Sequence, residues 1–281
     1  MVTNESDTFD IGGELTVHRL GYGAMRICGP DIVGPPEDEE NAREVLRHAD
    51  ELGVDFIDTA DSYGPGVSER LIGETLPTGS EDLVVATKAG LLRNADGDWI
   101  PHGDPDYIRN QVLASLDRLR TDTIDLYQYH RPDPDTDFEE AITTFGELKD
   151  EGFVEHVGVS NVSVEQLETA RDHIDVATVQ NEYNVENREH EDVLEACEDY
   201  DIGFIPYFPV GAGGFEEKAD AVETVAANHD ATKYQVALAW LLHHSDVTLP
   251  IPGTSDLDHL EENVAASQLD LTDEEVKRLS E

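Results

Sequence analysis

Short apolar runs alternate with stretches of helical periodicity over nearly the whole chain. Near the start, runs at residues 9–11 and 15–18 flank Gly12-Gly13, which predicts a β-hairpin. From residue 20 onward, eight strands are predicted, at 20–25, 56–59, 83–88, 124–129, 154–160, 177–180, 203–207 and 248–251. Between them the apolar period lengthens to that of a helix. The 39–52 segment places Ala42, Val45, Leu46 and Ala49 on one face, and 106–119 repeats this with Ile108, Val112, Ser115 and Leu119. Further helices are predicted at 67–76, 138–151, 164–173, 189–200 and 257–266, with Ser163 and Asp256 placed to cap two of them. Two helical segments, 217–228 and 232–243, fall between the seventh and eighth strands, so one of them is an insertion. A short final helix at 272–280 opens with Thr-Asp-Glu-Glu.

Strict strand–helix alternation predicts a parallel sheet. Eight units predict that the sheet closes into a (β/α)8 TIM barrel rather than staying open. The N-terminal hairpin then covers the bottom, with extra helices at the C-terminal end. The length of 281 residues suits a fold that needs about 250. No linker, composition shift or repeat divides the chain, so residues 1–281 read as one barrel domain.

Charge changes the picture of the surface. Eighteen Lys and Arg against 63 Asp and Glu give a formal net charge of −45, and only five of the basic residues are lysine. A basic docking partner is one reading of such acidity. The acids are spread over every helical segment, however, which points to adaptation to a saline solvent. Such a surface repels itself at low salt. At ~1 M salt the Debye length shrinks to ~3 Å, which matches a halophilic cytoplasm. The clustered Lys and Arg that phosphate contacts require are missing, so nucleic acid is not an expected partner. Cys28 and Cys197 form neither a CxxC motif nor a disulfide framework. The acidic residues Glu5, Asp7, Asp10 and Glu14 leave no room for the apolar core of a signal peptide. The apolar run at 236–242 is too short to span a bilayer. The expectation is a cytoplasmic protein without a membrane partner; nothing in the sequence sets its oligomeric state.

In such barrels the active site forms at the C-terminal ends of the strands. There the sequence places Asp58 and Tyr63 after the second strand, Lys88 at the end of the third and His130 after the fourth. A lysine closing the apolar run 83–87 is costly to bury unless paired, and Asp58 is the natural counter-ion. At ~4 Å and an effective dielectric of about 20, their attraction is roughly 4 kcal/mol before desolvation. Taken alone, the pair could equally be a structural ion pair at the barrel rim. A free tyrosine, with a pKa near ~10, is a poor acid at neutral pH. An adjacent Lys⁺ is expected to favour tyrosinate, lower that pKa and suit Tyr63 to proton transfer. His130 could hydrogen-bond the same hydroxyl or a substrate carbonyl.

With these residues in view, the sequence resembles the aldo-keto reductase family. The likeness is carried by Phe56-Ile57-Asp58-Thr59-Ala60-Asp61-Ser62-Tyr63-Gly64, Thr87-Lys88, Tyr129-His130-Arg131-Pro132 and Gly158-Val159-Ser160-Asn161. Gln180-Asn181-Glu182-Tyr183-Asn184 and Ile251-Pro252-Gly253-Thr254-Ser255 extend it over nearly the whole chain. The resemblance implies a catalytic tetrad of Asp58, Tyr63, Lys88 and His130 and an NADPH cofactor, with NADH as the alternative. Hydride would pass to a carbonyl carbon while Tyr63 protonates the oxygen. It also implies that Ser160, Asn161 and Gln180 hold the nicotinamide carboxamide and that Tyr207 stacks on the ring. Without the resemblance, Ser160 and Asn161 read as turn caps and Tyr207 as core. A flexible loop from Phe208 through Pro209, Val210 and Gly211 to Gly214 would cover the pyrophosphate. Gly253, Thr254, Ser255, His259, Glu262 and Asn263 would surround the adenosine, and Gly23, Ala24 and Met25 would line the same groove. Many NADPH-preferring members carry Lys and Arg where this chain has Gly253 and His259. The stretch from Leu20 to Met25 with Gly34-Pro35-Pro36 is most similar to a subgroup that includes pyridoxal reductases. The implied substrate is a small-molecule carbonyl compound: an aldehyde, a sugar or pyridoxal.

Other signals carry less. Gly21-Tyr22-Gly23 is an incomplete dinucleotide motif, with Arg26 at the third glycine position. Asp133, Asp135 and Asp137 start like a calcium loop but lack its turn glycine and closing glutamate. No histidines have zinc-ligand spacing. Ser62 and Ser68 have no triad context. Two further functions compete with carbonyl reduction: a Schiff-base lyase or isomerase using Lys88, and a regulatory module that binds cofactor without turnover.

Overall fold

The computed structural model describes residues 2–94, 96–211, 215 and 218–281. The N-terminal hairpin forms as β1 (Thr8–Ile11) and β2 (Leu15–His18), with Ile11 opposite Leu15 and both turn glycines at positive φ. The barrel strands are β3 (Tyr22–Gly23), β4 (Phe56–Asp58), β5 (Val84–Ala89), β8 (Ile124–Tyr129), β9 (Val154–Ser160), β10 (Val176–Glu182) and β11 (Gly203–Tyr207). They pair in parallel in the order β11-β10-β9-β8-β5-β4-β3. A second hairpin, β6 (Leu91–Arg93) with β7 (Trp99–Pro101), is inserted after β5. The sequence pattern did not predict it, because three-residue strands carry too little periodicity.

The eighth stave is the segment 247–252. On one side Phe204 N donates to Val247 O at 2.8 Å and Leu249 N to Phe204 O at 2.8 Å. On the other side Gly21 N donates to Pro250 O at 3.0 Å and Gly23 N to Pro252 O at 3.3 Å. These bonds close the ring, so the (β/α)8 barrel forms as expected. The segment is not a regular strand, however. Pro250 and Pro252 have no N–H to give to a ladder. The first strand also departs from expectation: it is cut to two residues, and Ala24–Ile27 coils into a 3-10 turn. The three-residue spacing of that turn buries Ala24 and Ile27 together.

Among the described residues ten α-helices surround the strands: α1 (Glu39–Glu51), α2 (Val67–Thr75), α3 (Pro105–Leu119), α4 (Phe138–Asp150), α5 (Val164–Arg171), α6 (Glu191–Tyr200), α7 (Ala219–His229), α8 (Lys233–His244), α9 (Leu257–Ala265) and α10 (Asp273–Ser280). The expected start of α7 at residue 217 lies outside the described residues. Part of the acidity has a local purpose. The Asp38, Asp104, Asp137 and Asp256 side chains each accept a backbone N–H in the first turn of α1, α3, α4 and α9. Asp133 organises the turn before α4, accepting from Gly103 N, Asp135 N and Thr136 Oγ1, each at 2.9 Å. Among the described residues no helix is long and apolar enough to cross a membrane.

Strand alternation divides the core into an inner and an outer part. Phe56, Val84, Ala86, Leu126, Ile205 and Leu249 fill the barrel interior, and Ile11 and Val17 of the hairpin plug it from below. Their chain neighbours Ile57, Val85 and Tyr127 point outward to the helices. One apolar layer therefore ends at Phe56, Ala86 and Leu126, and the next inward positions form the floor of the barrel mouth.

Candidate active site

Two residues beyond that layer on β4, β5 and β8, the inward positions are Asp58, Lys88 and Gln128. The strand period thus turns an apolar barrel into a polar one in a single step. Lys88 is fully buried, and its Nζ donates to Asp58 Oδ1 at 2.6 Å and to the Thr59 carbonyl at 2.7 Å. The other carboxylate oxygen of Asp58 accepts from Gln128 Nε2 at 3.1 Å and Gln180 Nε2 at 2.8 Å. Every charge here has partners, as burial demands. Burial still pulls the Lys88 pKa down, against the opposing pull of Asp58.

Tyr63 lies in the β4–α2 loop, 8% exposed, with its ring 5.4 Å from Lys88 Nζ. Its ring meets His130 edge-on, centroids 5.9 Å apart at 82°, and Trp99 at 6.2 Å and 88°. The expected lowering of the Tyr63 pKa is not what the structure produces. Burial, and then the Asp58 carboxylate, hold its hydroxyl well above the ordinary tyrosine range. The Lys88 charge is neutralised by its own partner, so it does not outweigh desolvation. Tyr63 is therefore a protonated hydroxyl at neutral pH. His130 is shifted the other way. Burial, then Lys88 and Arg131, hold its pKa well below the usual value, so its imidazole is neutral. Its Nδ1 faces Ser62 Oγ at 3.4 Å, a contact the sequence did not indicate.

These groups open onto a cleft of about 510 Å³ at the C-terminal ends of the strands. A larger groove, about 990 Å³, lies at the opposite end beside Glu14, Glu81, Asp122 and Glu155, and holds none of these residues. Asp58, Tyr63 and His130 line the 510 Å³ cleft, and Lys88 lies buried beneath the Tyr63 ring. Of the expected cofactor residues, Gly23, Met25, Ser160, Asn161, Gln180 and Tyr207 line it too. So do Phe208, Pro209, Val210, Gly211 and Gly253, while the expected loop residues Gly213 and Gly214 lie outside the described residues. Gly23 and Gly253 sit back to back. A Cβ on Gly23 would fall 2.6 Å from Ile251 O, and one on Gly253 would fall 2.6 Å from Gly23 O. Only glycine permits this approach. Asn161, at φ +60°, ties three strand ends together. Its Nδ2 donates to His130 O at 3.0 Å and Ser160 Oγ at 2.9 Å, and its Oδ1 accepts from Tyr207 OH at 2.8 Å.

Other expected residues fall elsewhere. Ala24 is buried in the 3-10 turn and does not line the cleft. Thr254 Oγ1 accepts from Asp256 N at 3.0 Å, just before α9. Ser255 and His259 are exposed beside it, and Glu262 and Asn263 are half-buried on α9. These five run from the turn before α9 into its second half, and none of them lines the cleft. From outside the barrel strands the structure adds Arg26, Arg131 and Trp99 to the cleft lining; Glu182 at the end of β10 lines it too, and Gln128 braces Asp58.

Behind the Tyr63 loop, burial and the nearby Glu69 push the Asp61 carboxyl up to about 8. Its Oδ2 accepts from Tyr107 OH at 3.0 Å, whereas Oδ1 has no partner among the described residues. Below its unfolded pKa, Asp61 is protonated in both states. As pH rises from about 4 to about 8, only the unfolded chain ionises freely, so stability falls. Asp61→Asn cannot ionise. Its stability relative to the parent, measured by denaturant unfolding, is expected to improve steadily across that window; a pH-independent difference would contradict this assignment.

Residues 19–281 match the sequence profile of the aldo/keto reductase family. The chain is 42% identical over 269 residues to an uncharacterized oxidoreductase of Schizosaccharomyces pombe, covering 96% of this chain and 88% of that one. It is 40% identical over 282 residues to pyridoxine 4-dehydrogenase of Escherichia coli, covering 98% and 97%. A thermostable aldo-keto reductase crystallised with the inhibitor epalrestat superposes with a TM-score of 0.87 at 32% identity, over 98% of both chains. An aldo-keto reductase of Klebsiella pneumoniae in complex with NADPH gives 0.82 at 25% identity, over 98% of this chain and 94% of that one. A profile match that takes in every strand end of the polar mouth, with relatives alike from end to end, makes this chain a member of the aldo/keto reductase family.

Proposed function

We propose that this protein reduces an aldehyde or ketone to an alcohol with NADPH, and that Tyr63 is the proton donor. The observation that carries the reading is the buried Asp58–Lys88 pair beneath the Tyr63 ring, at the head of an open cleft. Ser160, Asn161 and Gln180 would hold the carboxamide of the cofactor, and the Tyr207 ring its nicotinamide. Gly23, Met25, Gly253 and the 208–211 turn would flank its diphosphate, with Thr254, Ser255, His259, Glu262 and Asn263 at the adenosine end. The glycine pair supports this, because it leaves a smooth backbone wall. When bound, the cofactor supplies hydride to the carbonyl carbon and leaves as NADP⁺.

The other half of the reaction belongs to the protein. Negative charge develops on the carbonyl oxygen, and the Tyr63 hydroxyl, kept protonated by burial, gives its proton there. Lys88 steadies the tyrosinate that remains. His130, held neutral, offers a hydrogen bond without adding a charge. Asp58 keeps Lys88 in place, and Gln128 and Gln180 keep Asp58 in place. A Schiff base on Lys88 would require a carbonyl to reach a fully buried nitrogen that already makes two hydrogen bonds. The likeness to the Escherichia coli pyridoxine dehydrogenase supports pyridoxal among the substrates to be tried.

The test is cofactor oxidation in high salt against aldehydes, ketones, sugars and pyridoxal, with NADPH and NADH in parallel. Aldehyde-dependent oxidation, faster with NADPH, is expected. Tight cofactor binding with no turnover on the whole panel would favour the regulatory module instead. One barrel carries both cofactor groove and mouth, so residues 1–281 work as one domain. The charge of −45 supports a salt-rich cytoplasm as its setting. Its Tm is accordingly expected to rise between ~0.1 and ~3 M KCl, by about 2–4 °C for each kcal/mol of repulsion screened. A flat or falling Tm in a salt titration would remove the halophilic reading.

A further inference from the structure

In a chain with 63 acids, a guanidinium rarely lacks a carboxylate. Nine of the thirteen arginines lie within 4.0 Å of one. Among the described residues, Arg26, Arg93, Arg131 and Arg278 do not. Arg278 is on α10, remote from the cleft, and the other three surround the cleft. Arg93 is used structurally. It stacks on Trp99 at 3.7 Å from the ring centroid and donates to the carbonyls of Asp31, Ile32 and Gly97. That leaves Arg26 and Arg131, both exposed and both lining the cleft.

Their positions differ. The stem of Arg26 borders the glycine groove, its Cγ 3.7 Å from where a Cβ on Gly253 would stand. Arg131 follows His130 directly and lies near Tyr207. The two carboxylates of the cleft wall are engaged elsewhere, Asp58 with Lys88 and Glu182 with Asn187 Nδ2 at 3.1 Å. Among the described residues the mouth thus presents two guanidiniums with no carboxylate within 4.0 Å, in a protein whose surface otherwise repels anions. A guanidinium fork suits a carboxylate or a phosphate in particular.

We propose that Arg26 and Arg131 form an anion-recognition pair at the mouth, and that the carbonyl substrate carries a carboxylate or phosphate away from its reacting carbon. This rests on the carbonyl-reductase reading above. The cofactor's phosphates offer the same chemistry, so the experiment separates the two sources. The probes are para-carboxybenzaldehyde and para-nitrobenzaldehyde, which present one aldehyde with para groups of similar size, charged and neutral. The full-length protein is assayed at the lowest KCl that keeps it folded.

In an Arg26→Gln/Arg131→Gln double variant, the ratio of kcat/KM for the carboxylated over the nitro substrate is expected to fall about 10- to 100-fold, through KM. Arg278→Gln, which changes net charge in the same direction at a remote site, is expected to keep the parent ratio. NADPH Kd is read by fluorescence quenching on every variant. A ratio unchanged in the double variant, or lowered equally by Arg278→Gln, would overturn the proposal. An unchanged ratio with weaker NADPH binding would assign the arginines to the cofactor and overturn the substrate assignment. If the parent binds NADPH but reduces neither aldehyde, the reductase reading has failed. Binding of para-carboxybenzaldehyde to the NADPH complex then decides this inference separately: weaker binding in the double variant supports it, and equal binding overturns it.

Discussion

Tyr63→Phe is expected to lower the kcat of carbonyl reduction by about 100- to 10,000-fold, the range that a positioned general acid contributes. The substitution removes only the hydroxyl. The ring that meets His130 and Trp99 edge-on stays, so the loop and cleft keep their shape. NADPH should therefore bind this variant about as it binds the parent, as read by fluorescence quenching. The pH profile is a second check. Burial and Asp58 raise the Tyr63 pKa, so reduction by the parent should persist through the pH range in which a free tyrosine ionises. A Tyr63→Phe variant that keeps more than about a third of the parental rate would move the proton donor elsewhere, because so small a loss lies below that range.

Lys88→Met is the substitution with the largest expected effect on stability. Lys88 is fully buried, and Asp58 is 3% exposed in its side chain. Methionine fills much of the same space but leaves a carboxylate in the barrel with only the Gln128 and Gln180 amides to solvate it. Breaking a buried pair from one side costs about 3–5 kcal/mol. Adding Asp58→Asn to Lys88→Met removes the stranded charge, and the amide can still accept from both glutamines. The double variant is expected to regain most of the lost stability but none of the activity, because the cation beneath the Tyr63 ring is gone. Denaturant unfolding in high salt measures the first part and NADPH oxidation the second. Equal stability of parent and single variant would mean that the pair is not charged in the folded protein.

The order of elements was legible because it is written in local periodicity. Seven of the eight predicted strands form as ladders, and nine helices begin within two residues of their expected starts, that of α7 lying outside the described residues. The floor of the mouth was legible for the same reason. Counting in twos from Phe56 and Ala86 leads to Asp58 and Lys88. Two departures also trace to residues in plain view: Pro250 and Pro252 deny the eighth stave its ladder, and the spacing of Ala24 and Ile27 favours a tight turn.

What the chain could not disclose is whatever depends on neighbours distant in sequence. Trp99 reaches Tyr63 only because a hairpin of two three-residue strands folds over the mouth. Arg26 and Arg131 look unremarkable until nine other arginines are seen to hold a carboxylate while these two, among the described residues, do not. The direction of the Tyr63 shift is the clearest case. Tyr63, Lys88 and Asp58 were all visible, and a cation near a phenol was expected to make it more acidic. The barrel instead seals Lys88 against Asp58 at 2.6 Å and buries the tyrosine, and desolvation exceeds what remains of the cation's field. By itself the sequence determined the strands, the helices and the kinds of residue at the mouth, since these follow from side-chain alternation along a local backbone. The tertiary structure alone decided which charges cancel, which stay free and which protons are held, since these depend on burial and distance through space.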